Sequence, residues 1–496
     1  MTAGTGSVAV PPTPPDLAGK HVTVAGLGVS GVPAAKALHA LGARVTVVNG
    51  VAGERQRAEA AELEALGVAV RLGDGDTLPD GTDLVVTTPG WKPSSPLFTA
   101  AAQAGVEVWG DVELAWRLRE SRPGRKAAPW LAVTGTNGKT TTTRMLAAIL
   151  TAAGLRTAAV GNIGVSLFDV VLGAPGEPEY DVLAVELSSY QLHWAPSIRP
   201  HSAAVLNLAP DHLDWHGSMA AYAADKGRIF QGNQVACVYN TADPETERLV
   251  READVEEGCR AIGFTLEAPR PSEFGVVDGI LVDRAFVEDR RNSAQELAET
   301  ADVNPPAPHN IANALAAAAL ARAYGVEPAA VREGLRAFRP DAHRIAEVAA
   351  FDGVTWVDDS KATNTHAAEA SLAAYPSIVW IAGGLAKGAE FDELVVKSAD
   401  RLRAAVLIGA DRALIREALA RHAPQVPVVE LGRTDTGAMA AAVAVARDRA
   451  EPGDTVLLAP ACASMDMFAN YNQRGDMFAD AVRSLGAGDS EEPGRS

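Results

Sequence analysis

Cysteine is scarce in this chain. Only three cysteines occur among 496 residues, at positions 237, 259 and 462. Their odd number and wide spacing fit neither a disulfide framework nor the ligand spacing of a zinc site. We therefore expect a protein of a reducing compartment, and the cytoplasm is the predicted location.

Long apolar runs and an excess of positive charge are also missing. No stretch reaches about 18 consecutive apolar residues, so no membrane span is predicted. The first residues, MTAGTGSVAVPPTPPD, lack the basic segment and apolar run of a signal peptide. The formal net charge of −18 argues against a nucleic-acid-binding surface. It does not argue against phosphorylated small molecules, which a few local groups can hold.

The composition is that of a globular protein, with 47% hydrophobic and 21% charged residues. At about 150 residues per domain, the length predicts three domains. Strand-like and helix-like segments alternate, which predicts an α/β fold. The expected divisions are a disordered leader, three domains and a disordered tail, at residues 1–16, 17–125, 126–338, 339–486 and 487–496.

The segment 129–143, PWLAVTGTNGKTTTT, has the order strand, glycine loop, helix. An apolar strand is predicted at 130–133 and a helix at 141–150. The glycines let backbone N–H groups converge on an anion, and the helix N-terminus adds partial positive charge. We expect Lys139 to reach the β- and γ-phosphates and Thr140 to offer its hydroxyl to magnesium. Two residues separate the glycines, against four in the Walker pattern, so an incidental strand-to-helix turn stays an alternative.

A second glycine turn, GLGVSG at 26–31, follows a predicted strand at 21–25. A helix at 32–41 and a strand at 44–48 complete a βαβ unit of the dinucleotide-binding type. Asn49 and Gly50 stand where such a site has an acidic residue, which favours a simpler phosphate ligand over NAD. Glycines that serve only helix–strand packing are the alternative. The loop 88–90 ends a strand at 83–87, at the sheet edge where ligands bind.

Polar clusters follow the later strands of the middle domain. Glu186 ends a strand beside the phosphate loop and is placed to hold magnesium, directly or through water. The run DHLD at 211–214 suits metal or phosphate chemistry, or helix capping. Lys226, on a predicted helix at 222–230, is by itself a solvated lysine. Asn310 and Asn313 share one helical face and contact a base or cap the helix. No chemistry is assigned to residues 232–300.

A doubly wound α/β arrangement is predicted again from about residue 338 onward. Strands at 354–357, 378–382, 405–408 and 455–458 alternate with helices. Polar clusters follow three of them, at 358–364, 383–387 and 460–466. Because the ends of parallel strands meet at one sheet edge, this domain has a ligand edge of its own.

Six motifs in this order resemble those of the Mur ligases, the ATP-dependent amide-forming enzymes of peptidoglycan precursor synthesis. They are TGTNGKTT at 134–141, ELSS at 186–189, DHLD at 211–214, HNIAN at 309–313, DSKATN at 359–364 and PACAS at 460–464. The resemblance covers the chain except its two tails and residues 232–300. DSKATN, ACAS and the glycine turn at 26–31 favour the member that adds D-glutamate.

The resemblance implies a Rossmann-like N-terminal domain for a UDP moiety, a central P-loop ATPase-type domain, and a Rossmann-like C-terminal domain for an amino acid. It implies the substrates UDP-N-acetylmuramoyl-L-alanine, D-glutamate and ATP, with two Mg²⁺ ions. ATP would phosphorylate the L-alanine carboxylate, and the D-glutamate amine would attack the acyl phosphate. A monomer that binds neither nucleic acid nor membrane is expected.

The resemblance also implies site residues. The catalytic set is Lys139, Glu186, His212, Lys226 and His343. ATP is assigned to Gly135, Thr136, Asn137, Gly138, Lys139, Thr140, Thr141, Asn310, Asn313, Arg344 and Asp359. The UDP substrate is assigned to Gly28, Val29, Ser30, Thr88, Pro89, Gly90, Asn162 and Ser188. D-glutamate is assigned to Lys361, Thr363, Lys387, Ser464, Met465 and Tyr471. Metal is assigned to Thr140, Glu186, His212 and a carbamylated Lys226.

Two departures and several alternatives stay open. Asn49-Gly50 replaces the Asp-Thr type of pair often seen against uracil, and the segment before Lys387 lacks the usual Asp-Gly. A ligase for another amino acid and a folylpolyglutamate synthetase are alternatives within the family. An NAD-dependent oxidoreductase and a P-loop regulator that hydrolyses ATP without ligation are alternatives from other classes.

Overall fold

The computed structural model describes residues 15–119, 127–173 and 179–488. The predicted boundary near 125 and most of the predicted leader and tail fall outside these residues. Within these residues there are three sheets, of five, nine and six strands, so the predicted α/β class is confirmed. Two compact units divide the chain. The first holds residues up to Asp302 together with Ala312–Ala337, and the second holds Val303–Ile311 together with the chain from Phe338 onward.

The N-terminal sheet of the first unit is wholly parallel, with strand order β3-β2-β1-β4-β5. The strands His21–Ala25 and Leu84–Thr87 are buried apolar runs, whereas the edge strand Ala69–Leu72 is partly exposed, and helices join most of the strands. The elements are β1 His21–Ala25, α1 Gly31–Ala40, β2 Arg44–Asn49, α2 Glu54–Ala65, β3 Ala69–Leu72, β4 Leu84–Thr87, α3 Pro96–Gln103, β5 Glu107–Gly110 and α4 Asp111–Leu118.

The central sheet of the first unit has the order β14-β13-β12-β11-β10-β9-β6-β8-β7. Its phosphate-loop strand, β6, lies between β8 and β9. The elements from β6 to α9 are β6 Trp130–Thr134, α5 Lys139–Ala152, β7 Ala159–Gly161, α6 Leu167–Leu172, β8 Leu183–Glu186, α7 Ser189–His193, β9 Ser202–Val205, α8 Leu213–His216 and α9 Met219–Gly227.

Residues 232–300, weakly β-like in sequence, extend the central sheet. Here β12, β13 and β14 pair antiparallel, whereas β10 and β11 continue the parallel order. The elements are β10 Ala236–Asn240, α10 Pro244–Glu252, β11 Arg260–Phe264, β12 Glu273–Val277, β13 Ile280–Asp283, β14 Gln295–Glu299, α11 Pro308–Ala323 and α12 Pro328–Ala337.

The first two sheets share one hydrophobic core. Trp116 of α4 and Trp130 of β6 meet edge to face, with ring centroids 4.9 Å apart. Glu113, fully buried on α4, accepts a hydrogen bond from the backbone N–H of Ser197 at 3.0 Å. These contacts fix the N-terminal sheet against the central sheet. The division into domains at 17–125, 126–338 and 339–486 stays a prediction.

The sheet of the second unit has the order β15-β16-β20-β17-β18-β19 and is parallel except for β15. Helices cover both faces, as the alternating sequence predicts. The elements are β15 Ala346–Phe351, β16 Val354–Asp358, α13 Thr365–Leu372, β17 Ile378–Gly383, α14 Asp392–Ser398, β18 Leu402–Ile408, α15 Arg412–His422, β19 Val428–Glu430, α16 Ala438–Arg449, β20 Thr455–Leu458 and α17 Tyr471–Gly488. Across the described part of the chain, no helix is long and apolar enough to cross a membrane.

Candidate active site

The glycine loop between β6 and α5 has the backbone shape of an anion cradle. Gly135 and Gly138 take φ angles of +154° and +82°, and Gly138 is the N-cap of α5. The helix begins at Lys139, two residues earlier than predicted, because Gly138 supplies the left-handed turn at its start. Lys139 Nζ donates to the carbonyl oxygens of Gly135 at 2.9 Å and Thr136 at 2.8 Å. The lysine therefore lies over the loop.

A carboxylate stands beside this loop, as the sequence predicts. Glu186 ends β8, and its neighbour in register on β6 is Val133. The buried Glu186 carboxylate accepts hydrogen bonds from Thr140 Oγ1 at 2.7 Å and from Asn162 Nδ2 at 2.9 Å. Two hard oxygen donors at the end of a phosphate loop match the preference of Mg²⁺, which binds few protein ligands beside phosphates and water. The described residues contain no group of three or more His, Cys, Asp or Glu side chains that could hold a metal ion.

Lys226 is not the solvated lysine that its helix position suggests. The side chain is buried, and Nζ donates to the carbonyl oxygen of Gly135 at 2.7 Å. Its neighbour one turn earlier, Tyr222, forms a hydrogen bond with Thr136 Oγ1 at 3.0 Å. Burial, helped by the charge of Lys139, lowers the pKa of Lys226 well below its usual value. The lowered pKa favours the neutral amine at the phosphate loop.

His212 lies in a strained loop after β9. Its φ is +54°, and its Nε2 atom is 3.4 Å from Asp211 Oδ2. Tyr190 packs against its ring, with centroids 4.8 Å apart. Burial lowers the pKa of His212, which favours the neutral imidazole that binds metals.

A cluster that the sequence analysis missed stands behind Lys226. The Asp225 carboxylate lies 2.9 Å from both His193 Nδ1 and His216 Nδ1, and His216 Nε2 lies 3.0 Å from Ser189 Oγ. Burial acts to raise the pKa of Asp225, but the hydrogen bonds from His193 and His216 outweigh it and lower the pKa to about 2. This Ser–His–Asp arrangement links α7, α8 and α9 by hydrogen bonds. Because Ser189 is buried, it is not an exposed nucleophile. The one feature of the sequence that could have indicated this cluster is Asp225, which directly precedes Lys226.

Ser188 and Asn162, both predicted for the UDP substrate, lie at the ends of neighbouring strands. Ser188 is the N-cap of α7, where it and Gln191 form a reciprocal capping box. Asn162 is fixed by Glu186 as described above. Both side chains are therefore held on the phosphate-loop side of the central sheet.

The glycine turn of the N-terminal sheet is built for close approach. A Cβ on Gly31 would lie 2.0 Å from the Gly26 carbonyl oxygen, so glycine is required where α1 meets β1. Thr88 Oγ1 donates to the Ala25 carbonyl oxygen at 3.1 Å, which brings the loop of Thr88, Pro89 and Gly90 beside the turn of Gly28 and Val29. Asn49 accepts from the Leu27 N–H at 3.0 Å and donates to the Val51 carbonyl oxygen at 2.7 Å. Asn49 therefore holds the glycine turn and the loop after β2 together. The sequence analysis noted only that Asn49 departs from the family pattern and did not predict this role.

The two asparagines predicted near adenine fall in different units. Asn313 lies at the phosphate loop, where a Cβ on Gly138 would come within 2.4 Å of its Oδ1 atom. Asn310 belongs to the second unit, and its Nδ2 atom donates to the Pro305 carbonyl oxygen at 3.3 Å.

The second unit gathers its predicted residues at the ends of β16, β17 and β20. His343 Nδ1 lies 2.6 Å from Asp358 Oδ2, and this contact raises the pKa of His343. Asp359 is buried against Ser371, and burial raises its pKa to about 6. Arg344 is close enough to Asp359 to oppose that rise. His343 and Asp359 are therefore held in place by neighbours within this unit.

The loops predicted to hold D-glutamate are joined by backbone contacts. Leu385 and Ala463 exchange two hydrogen bonds, which pairs the loop of Lys387 with the loop of Ser464. Lys361 Nζ stands 3.8 Å from the Tyr471 ring centroid, and Thr363 follows in the same turn. Met465 is 63% exposed. Arg474, which the sequence analysis missed, is fully buried and donates to the carbonyl oxygens of Ser360 and Cys462. It ties the loops after β16 and β20.

Known sequence families match this chain over most of its length. The Mur ligase middle domain matches residues 133–321, and the glutamate ligase domain of the Mur ligases matches residues 343–462. The chain is also 80% identical, over 474 residues, to the UDP-N-acetylmuramoylalanine–D-glutamate ligase of Streptomyces coelicolor. That match covers 96% of this chain and 100% of the relative. The chain belongs to the Mur ligase family.

Further relatives agree with this membership. The ligase of the same name from Thermobifida fusca is 59% identical, over 95% of this chain and 99% of its own. The structure of a MurF ligase from Thermotoga maritima in complex with ADP has a TM-score of 0.55 at 17% identity, over 89% of this chain and 95% of its own. At that identity the likeness concerns the fold alone. The Mur ligase family, the ligase class of enzyme and the α/β fold predicted from the sequence are confirmed.

Proposed function

We propose that this Mur ligase joins D-glutamate to UDP-N-acetylmuramoyl-L-alanine with the hydrolysis of ATP, in peptidoglycan precursor synthesis. The observation that carries the proposal is the meeting of Lys139, the Thr140–Glu186 pair and the buried Lys226 at one loop. Relatives 80% and 59% identical, named for this activity, support the choice of substrates.

The proposed reaction needs an activation step because a free carboxylate has no good leaving group. Its oxygen is a poor leaving group, so the L-alanine carboxylate must first take the γ-phosphoryl group of ATP. The D-glutamate amine then attacks the acyl carbon, and the tetrahedral intermediate expels phosphate. Phosphoryl transfer needs charge neutralisation at the phosphoryl oxygens, which Lys139 and the N–H groups of residues 135–140 supply.

Two Mg²⁺ ions are proposed as partners of ATP. Thr140 and Glu186 would hold one, since their oxygens suit a hard cation. His212 would serve the second. Magnesium supplies further neutralisation of phosphate charge when bound.

Lys226 is proposed to act as a carbamate. Its neutral amine can add to CO₂, forming an N–C bond and releasing one proton, and the product carries a negative charge in place of a positive one. Burial and the nearby Lys139 favour the neutral amine that this addition requires. The resulting carboxylate would face the metal and phosphate side of the loop.

Each of the three predicted domains is proposed to bind one substrate. Residues 17–125 would hold the UDP moiety through Gly28, Val29, Ser30 and the loop 88–90, and residues 126–338 would hold ATP. Residues 339–486 would hold D-glutamate, for which the cations of Lys361 and Lys387 and the hydroxyls of Thr363 and Ser464 suit two carboxylates. We further propose that the enzyme acts in the cytoplasm as a monomer.

Oxygen-18 transfer tests the proposed chemistry. UDP-N-acetylmuramoyl-L-alanine labelled in the alanine carboxylate should pass one labelled oxygen to the released phosphate, as mass spectrometry of the phosphate would reveal. Unlabelled phosphate, with amide product formed, would exclude the acyl phosphate. Product with another amino acid would keep the chemistry and change the substrate.

A further inference from the structure

Two of the three cysteines meet in the central sheet of the first unit. Cys237 lies on β10, and Cys259 directly precedes β11, the strand that pairs with β10 in parallel. Both thiols are free, and their Sγ atoms are 3.9 Å apart although the residues are 22 positions apart in sequence. A disulfide bond has an S–S distance of about 2.05 Å, so the two sulfurs need to approach by only about 2 Å. The fold therefore creates a thiol pair that the spacing of the cysteines does not predict.

The two thiols differ in their access to solvent and in their acidity. Cys237 is buried, whereas Cys259 is partly exposed. The hydrogen bond between the two thiols lowers the pKa of Cys259, and the same bond together with burial raises the pKa of Cys237. The thiolate is the nucleophilic form of cysteine. Cys259 is thus the thiol that a small oxidant in solution reaches, and it is also the thiol that ionises first.

Asn233 fixes both members of the thiol pair. It is fully buried, and its Nδ2 atom donates to Cys237 Sγ at 3.3 Å. Its carbonyl oxygen accepts from the Glu256 N–H at 3.0 Å, and the Glu256 carbonyl oxygen accepts from the Cys259 N–H at 3.0 Å. The turn that carries Cys259 is therefore held against the residue that contacts Cys237, and this arrangement keeps the two sulfurs near each other.

We propose that Cys237 and Cys259 are a modification site at which a hydroperoxide forms a reversible disulfide. The Cys259 thiolate attacks one oxygen of H₂O₂, its sulfur is oxidised to a sulfenic acid, and hydroxide leaves and takes up the proton that Cys259 lost. The Cys237 sulfur then attacks the Cys259 sulfur, the S–O bond breaks, and the hydroxyl group leaves with the Cys237 proton as water. Two thiols and one peroxide thus give one disulfide and two water molecules, and the thiols supply the two electrons.

The disulfide preserves Cys259. A sulfenic acid that has no neighbouring thiol is open to further oxidation to sulfinic acid, which thiols do not reverse. A disulfide is returned to two thiols by thiol exchange, and disulfides of the reducing cytosol are usually transient and redox-sensing. This inference is independent of the proposed function, because it uses no residue of the phosphate loop and no substrate of the ligase.

Titration of the reduced full-length chain with hydrogen peroxide tests the wild-type thiol pair. The free thiols, counted under denaturing conditions, should fall from three to one, and the chain should lose the mass of two hydrogen atoms. Tryptic mapping should find one cross-link, between the peptides 229–248 and 252–260, and dithiothreitol should restore all three thiols. Cys462 is the internal control, because it is buried in the second unit and burial raises its pKa to about 12.

Three serine variants separate the roles of the thiols. C237S leaves Cys259 without its partner, so peroxide should add two oxygen atoms to the peptide 252–260, and dithiothreitol should not remove them. C259S lacks the attacking thiolate, and its two buried thiols should stay reduced under the same treatment. C462S is the matched control, because it removes a buried thiol outside the pair and should form the disulfide as the wild type does.

The peptide map of the wild-type chain decides the matter even if a variant does not fold. The inference is overturned if all three thiols persist under excess peroxide, or if Cys259 of the wild type becomes a sulfinic acid without a cross-link. A disulfide that includes Cys462, or one that joins two chains, would overturn it as well. Formation of the cross-link between 229–248 and 252–260, with its reversal by dithiothreitol, is the result that we expect.

Discussion

Lys226 Nζ donates a hydrogen bond to the carbonyl oxygen of Gly135 at 2.7 Å. A helix lysine thus meets the backbone of the phosphate loop at the same oxygen to which Lys139 donates at 2.9 Å. Burial lowers the pKa of Lys226, and the nearby charge of Lys139 lowers it further. In the proposed reaction Lys139 would contact phosphate and Lys226 would carry the carbamate.

Replacement of the two lysines should therefore have different consequences. K226A and K139A should each lower phosphate release at least about a hundredfold, the typical effect of one electrostatic group at a reacting oxygen. Added short carboxylates such as formate should partly restore K226A, because they replace the carbamate, and should not restore K139A, which lost a cation. Phosphate release in each variant, with and without formate, is the measurement. Melting temperatures near the wild-type value would exclude unfolding, and normal turnover in K139A would refute the phosphate-loop role.

Replacement of Gly138 should weaken ATP binding. In G138A the new Cβ must tolerate φ +82° and lies 2.4 Å from Asn313 Oδ1. G154A is the control, since Gly154 takes φ +77° with no atom within 4 Å of such a Cβ. We expect each variant to lose about 1–2 kcal/mol of stability from the backbone alone. Only G138A should raise the KM for ATP, by at least about tenfold. Equal KM values in the two variants would contradict the account.

The Thr140 hydroxyl should matter for magnesium. T140V removes the hydroxyl that bonds to Glu186 at 2.7 Å and leaves a side chain of similar shape, whereas T140S keeps the hydroxyl. We expect T140V to need about tenfold more Mg²⁺ for half-maximal phosphate release. T140S should behave like the wild type. An unchanged magnesium requirement in T140V would remove Thr140 from the proposed metal ligands.

The His343–Asp358 contact predicts a pH-dependent stability of the second unit. The hydrogen bond to Asp358 raises the pKa of His343 above its unfolded value of about 6.5. This contribution to stability is fully present below that unfolded value and is lost as the pH rises through the folded pKa. The melting temperatures of wild type and H343Q should therefore differ most near about pH 6 and converge at alkaline pH. A difference that stays constant over this range would contradict the ion pair.

Local sequence patterns predicted the framework well. The strands His21–Ala25 and Thr455–Leu458 have the predicted bounds, and the phosphate loop stands where strand, glycines and helix place it. Such features depend on neighbouring residues alone, so one stretch of chain is enough to find them. The antiparallel strands β12, β13 and β14 were weaker signals, because their pattern depends on which face the rest of the sheet covers.

Several contacts between distant elements could not be predicted from local patterns. From its spacing alone Lys226 is a solvated lysine, and only the family resemblance assigned it to the site, because spacing does not reveal that α9 packs it against the loop of Gly135. Arg474 is fully buried, although arginine is among the residues most often exposed. The Asp225 cluster joins His193 of one helix to an aspartate 32 positions later on another helix, and no local pattern records such a partner.

Phosphate release from ATP and magnesium, with one amino acid added at a time to UDP-N-acetylmuramoyl-L-alanine, tests the central claim most directly. We predict release that requires both the nucleotide substrate and D-glutamate, with L-glutamate inert. Release without either substrate would contradict the ligase and indicate an ATPase of another role. Release that requires a different amino acid would contradict the proposed substrate while leaving the family membership intact.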